Sequence, residues 1–169
     1  ALGGALGNVM FRKYTLINES QSVFDSMYVS MWADPDLGDA GDDYSGALIE
    51  NSLMYTYNGN NSDGAYGDNP PAIGFDFFQG PIVAGNPEDE AIFNNKVRKG
   101  FKNLPMSAHY FFINSDPVYA DPDLGEYVTG TLQFHNLFRG LISASGSPFV
   151  DPTTNQQTKF TLSGNPITG

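Results

Sequence analysis

Residues 33–43 read ADPDLGDAGDD, so that Asp34, Asp36, Asp39, Asp42 and Asp43 fall within ten positions. Aspartates at alternating and near-alternating positions let carboxylates converge, and Gly38 and Gly41 permit the bends between them. The chemistry this composition suits is ligation of a hard cation. Calcium takes roughly six to eight oxygens from carboxylates, backbone carbonyls and water. Pro35 narrows the conformations open to the free loop. The spacing is not that of an EF-hand, because no glutamate closes a twelve-residue loop. The pattern points to calcium (Ca2+) held by Asp34, Asp36, Asp39, Asp42 and Asp43, in the manner of irregular extracellular loops. Magnesium fits less well, since it is held by few protein ligands. The competing account is a solvated acidic turn.

The opening letters recur at 120–126 as ADPDLGE. Asp121, Asp123 and Glu126, with Asp116 nearby, form a second and weaker metal candidate. An Asp-Pro turn leading into a helix with an acidic first turn explains the same letters without metal. The 60–68 loop, with Asp63 and Asp68, is a third. Asp76 lies between Phe75 and Phe77, where a carboxylate is expected to be paired, metal-bound or turned outward.

No catalytic constellation accompanies these acids. There is no cysteine, and the two histidines, His109 and His135, fit no metalloprotease pattern. No nucleophile elbow, phosphate loop or dinucleotide fingerprint occurs. The reading is therefore non-enzymatic. Paired carboxylates doing glycosidic chemistry, or aromatics binding carbohydrate, form the alternative. Asn18-Glu19-Ser20 and Asn60-Asn61-Ser62 match the glycosylation acceptor pattern.

Charge supports a bound cation. The chain carries 8 basic and 19 acidic residues, a net charge of −11, which argues against nucleic acid and anionic membranes as partners. No Lys or Arg lies between Lys13 and Lys96, whereas 14 acids do. Local ion pairs cannot neutralise that span. The basic cluster Lys96, Arg98, Lys99 and Lys102 reads as an exposed loop.

The scaffold expected to position the loop is β-rich. In 169 residues there are 13 Phe, 9 Tyr, 19 Gly and 11 Pro. That composition favours antiparallel strands with long loops in one domain or domain fragment, 1–169. Residues 8–18 alternate Val9, Phe11, Thr15 and Ile17 against Met10, Arg12, Tyr14 and Leu16. Residues 23–32 place Val23, Met27, Val29 and Met31 opposite Phe24, Tyr28 and Trp32. The two runs predict a hairpin over 8–32 that leads straight into the acidic loop. Further strands are expected at 52–57, 72–79, 106–114 and 158–162, with a short helix at 88–95. Helical spacing of Tyr127, Phe134, Leu137, Phe138 and Leu141 predicts one helix near 126–142. The fold class is thus mainly β, an antiparallel sandwich-like sheet with long calcium-ordered loops and one helix. No apolar run is long enough to span a membrane, and no signal peptide is visible. The chain reads as a piece of something longer.

Five stretches, in order, carry a resemblance: GNVMFRKYTLIN, DSMYVSMWADPDLGDAGDD, NPPAIGFDFFQGP, FHNLFRGL and DPTTNQQTKFTLSGNPITG. Together they resemble a region of large secreted or cell-surface proteins of Bacteroidota and relatives that carry a type IX secretion C-terminal sorting domain. The resemblance implies an extracellular or cell-surface location, a β-rich multidomain parent and no established activity. It implies no catalytic residues. Where that group continues the acidic loop with a Cys-Asp pair, this chain has Ala47-Leu48. That group also runs on into further strands past the equivalent of Pro166–Gly169. Without them an open sheet edge is expected, which another copy of the chain could pair to give an oligomer or filament, or which leaves adhesion to surface glycans as the role.

Overall fold

The computed structural model describes residues 3–114 and 116–167. The chain is mainly β, with several antiparallel sheets and one helix. The β content is divided among small sheets and does not form one continuous layer. The largest has three strands: β1 (Asp43–Leu48), β2 (Leu53–Asn58) and, after two short strands β3 (Ser62–Asp63) and β4 (Gly67–Asp68), β5 (Ala72–Asp76). Their order is β1-β2-β5, antiparallel throughout. The β1–β2 turn passes through Ile49–Asn51, and Ser52 takes the left-handed conformation (φ 53°) that reverses the chain. Across the register Gly46 faces Tyr55, and the tyrosine hydroxyl occupies the space where a side chain on Gly46 would lie.

Next come β6 (Ile82–Ala84), β7 (Glu90–Phe93), β8 (Lys96–Lys99) and β9 (Phe101–Asn103), paired as β6–β9 and β7–β8. The helix expected at 88–95 is thereby corrected to a hairpin. Asn94 and Asn95 both have positive φ (50° and 60°), the backbone of a two-residue primed turn. An Asn-Asn pair between Ile92-Phe93 and Val97 was the overlooked signal. The basic cluster is corrected with it. Lys96, Arg98 and Lys99 form strand β8 and remain exposed, with Lys99 3.8 Å from Glu90.

The hairpin predicted at 8–32 does not form. From Val9 through Asp39 there is neither strand nor helix, and nearly all of that segment is exposed. The residue types are right for strands, but no edge of the same chain pairs with them, and an unpaired strand has no ladder to hold it. Residues 106–114 likewise form no strand, apart from a bridge between His109 and Phe160. The strand predicted at 158–162 does not form as such: only Thr158 lies in a strand, β11 (Gln157–Thr158), which pairs with β10 (Phe149–Val150), and Phe160 makes an isolated bridge. The helix is α1 (Tyr127–Phe138), as its spacing requires. No helix among the described residues is long and apolar enough to cross a membrane.

Part of the core sits where the C-terminal segment runs beside β1. Ala47 is fully buried and exchanges backbone hydrogen bonds with Leu162 and Gly164 along the outer side of β1. Thr161, 1% exposed, donates its N–H to the His109 carbonyl. From the helix, Leu137 is buried, and Asn136 donates to the buried Ser143 carbonyl at 3.0 Å. Among the described residues few large apolar side chains are buried, Leu37, Leu137 and Phe149 being the examples.

Candidate metal centre

The acidic loop folds as a series of turns in which aspartates cap backbone N–H groups. Asp39 accepts from Gly41 N at 2.9 Å and so starts the short 3-10 turn Ala40–Asp42. Asp43 Oδ2 accepts from Leu37 N at 2.8 Å, which folds the loop back onto the start of β1. Leu37 is buried beneath it, and Asn58 at the end of β2 donates to its carbonyl. Asp42 accepts from the Asn60 side chain, and its carbonyl accepts from Gly59 N at 2.7 Å. The loop is therefore held by the β2–β3 turn, residues 58–60, as well as by its own chain.

Asp63 is the second anchor. Its carboxylate accepts from Asp39 N at 3.0 Å and from Ala65 N and Tyr66 N at 2.7 and 3.0 Å. Those N–H donors, Asp39 first, hold its pKa below the usual carboxylate value. Gly38 (φ +92°) lies directly against this carboxylate, so that a Cβ there would fall 2.1 Å from Asp63 Oδ1. The sequence sets Asp63 in a separate third candidate, whereas the fold ties it to the acidic loop through Asp39 N. Its signal was Asp63-Gly64, an Asx turn, but its partner 24 residues back was not legible.

Two oxygens are left over. Asp42 Oδ1 and Asp43 Oδ1 are shut off from solvent and have no hydrogen-bond donor. They lie on consecutive residues where the loop enters β1. Of the five predicted aspartates, Asp42 and Asp43 thus keep one secluded oxygen each, Asp39 is a cap, and Asp34 and Asp36 are exposed. Among the described residues no group of three or more His, Cys, Asp or Glu side chains gathers around one point.

The echo at 120–126 folds otherwise. Asp123 Oδ1 accepts from Gly125 N and Glu126 N, and Asp123 N donates to the Gln133 side-chain carbonyl at 2.7 Å. These bonds turn the chain into α1, where Glu126 is the N-cap residue without a side-chain cap bond. Gly130 is required there because a Cβ would strike the Asp123 carbonyl. Asp121 is exposed, and Asp116 caps Val118 N and Tyr119 N in a separate turn. Asp68 is exposed at the end of β4. Asp76 is half-buried at the end of β5, and desolvation raises its pKa.

His109 is a buried structural residue. Its Nδ1 lies 2.8 Å from the Thr161 carbonyl, while Nε2 is buried without a partner. Burial lowers its pKa, and the Thr161 carbonyl opposes that only in part. A folded ring with a depressed pKa binds fewer protons than the unfolded ring, whose pKa is about 6.5. Stability is accordingly full above that value and falls as the pH drops below it. Melting curves from pH 7.5 to 5.5 are expected to show this decline, and His109→Gln to flatten it whatever its effect on absolute stability. An equal slope in the variant would show that another group is responsible.

Two cavities lie among the described residues. One of about 190 Å³ is lined by Tyr28, Ser107, Phe138, Arg139, Leu141 and Lys159, and a second, near 510 Å³, lies within residues 16–27. Neither lining includes the carboxylate pair that glycosidic chemistry requires. No protein-family model matches the chain, and no curated protein or solved structure matches it.

Proposed function

We propose that this chain is a non-catalytic, calcium-binding extracellular β module with a structural or adhesive role. The observation that carries the reading is the pair of secluded, donorless oxygens on Asp42 and Asp43. A carboxylate oxygen withdrawn from water without a donor is costly unless a cation reaches it. Lys and Arg are absent from residues 14–95, so the chain offers no nearby basic side chain in sequence. Asp42 and Asp43 would contribute one carboxylate each, with backbone carbonyls and water completing the shell, a mixture calcium accepts. Asp34 and Asp36 act at a distance by making the local potential more negative. So few carboxylates suit the weak affinities, about 10⁻⁴–10⁻³ M, of extracellular calcium modules. An extracellular setting is what the resemblance described above implies.

Isothermal titration of calcium into metal-stripped protein tests the reading. One ion is expected to bind, with binding abolished in Asp42→Asn/Asp43→Asn and only weakened in Asp34→Asn/Asp36→Asn. Equal binding in both double variants, or no binding to the unaltered chain, would refute the assignment.

A further inference from the structure

The amino-terminal segment 9–32 has the composition of two strands and the burial of none. Val23 is 90% exposed, Met10 76% and Ile17 75%, alongside Phe11, Tyr14, Leu16, Phe24 and Trp32. The whole chain exposes 12478 Å². A folded monomer of 18.3 kDa is expected to expose about 8,100 Å². The excess, roughly 4,000 Å², is more than each partner of most obligate dimers buries. The chain thus carries more uncovered surface than a self-sufficient domain.

The same chain carries an acceptor for it. β1 has one side on β2 and its other side on residues 162–164, but β5 pairs with β2 alone among the described residues. The outer edge of β5 therefore offers unpaired backbone groups, with Ile73 partly exposed on it and Phe78 71% exposed just beyond it. The segment is balanced in charge, its bases Arg12 and Lys13 grouped at one end and its acids Glu19 and Asp25 further on, whereas residues 34–90, which include the sheet and its turns, hold acids and no base. The segment already touches this region through Phe11 and Phe78, whose rings are 5.7 Å apart, without pairing its backbone there.

We propose that segment 9–32 is a donor arm that adds a strand to the open β5 edge of a second copy of this chain. Backbone hydrogen bonds along β5 give the affinity, and alternate apolar side chains are covered on both faces. Arg12 and Lys13 set the arm against the acidic half of the partner. Reciprocal exchange of two arms closes a dimer, while one-way donation propagates. The inference gives the structural role named above its partner, and it does not depend on calcium.

The chain contains no cysteine, so introduced thiols report unambiguously. Ile17→Cys and Ile73→Cys chains, distinguishable in mass, are mixed and treated with a short bismaleimide, with calcium and again after chelation. A covalent pair of one chain of each kind, well above the yield from either alone, is the expected result in either condition. Sedimentation of the unaltered protein should show a dimer or larger species. Leu16→Pro, in an exposed segment outside every regular element, should sediment as a monomer with an unchanged circular dichroism spectrum. A monomer at all concentrations overturns the proposal, as does cross-linking confined within a single chain carrying both substitutions. Persistence of the cross-link in protein that fails to bind calcium separates this inference from the metal assignment.

Discussion

Adding calcium to metal-stripped protein is expected to raise its melting temperature by about 5–11 °C when free calcium stands a hundredfold above the dissociation constant. The size follows from mass action. A ligand that binds only the folded state adds about 2.7 kcal/mol at that excess, and a domain of this length gains roughly 2–4 °C per kcal/mol. The unfolded chain gives little competition, because Asp42 and Asp43 are brought into register with the Leu37 turn and with Asn60 only by folding. Asp42→Asn/Asp43→Asn should melt at one temperature with or without calcium. It should lie nearer the metal-free value than the loaded one, since amides relieve the like charges as well as removing the ligands. A melting temperature of the unaltered protein that ignores calcium, after verified removal of metal, would end the metal reading. Differential scanning fluorimetry with matched ionic strength suffices, because screening alone moves exposed carboxylates.

Gly38→Ala is expected to lower the melting temperature by about 5 °C or more and to weaken calcium binding. Two separate costs meet at this residue. Its φ of +92° is outside the range that side-chain-bearing residues ordinarily adopt, a strain of roughly 1–3 kcal/mol. The added Cβ would also overlap Asp63 Oδ1. That carboxylate can move aside only by releasing the N–H groups of Asp39, Ala65 and Tyr66, which join the acidic loop to the β3–β4 turn. Gly64→Ala is the control, because nothing lies within 4 Å of a Cβ there and its φ is not positive. Equal loss in the two variants would mean that the Gly38–Asp63 contact has no special part in holding the loop.

Local features of this protein were determined by the sequence itself. The helical spacing over Tyr127–Leu141, the apolar runs that became β2 and β5, and the Asp-Gly turns all depend on interactions within a few residues. The capping role of Asp123 belongs with them, since the carboxylate and the N–H groups it meets are two and three positions apart. The Asn94-Asn95 turn is equally local, although the acids before it also fit a helix start.

Tertiary structure decided which oxygens and which surfaces are left without partners. That Asp63 fastens the acidic loop through Asp39 and that Asp42 is held by Asn60 depend on contacts 24 and 18 residues apart. Residues 9–32 make the same point in reverse. Their alternation states what a strand needs on both faces, but a strand exists only where a second backbone meets it. The chain's own edges do not meet that segment, so a pattern legible in the sequence became an exposed arm in the fold.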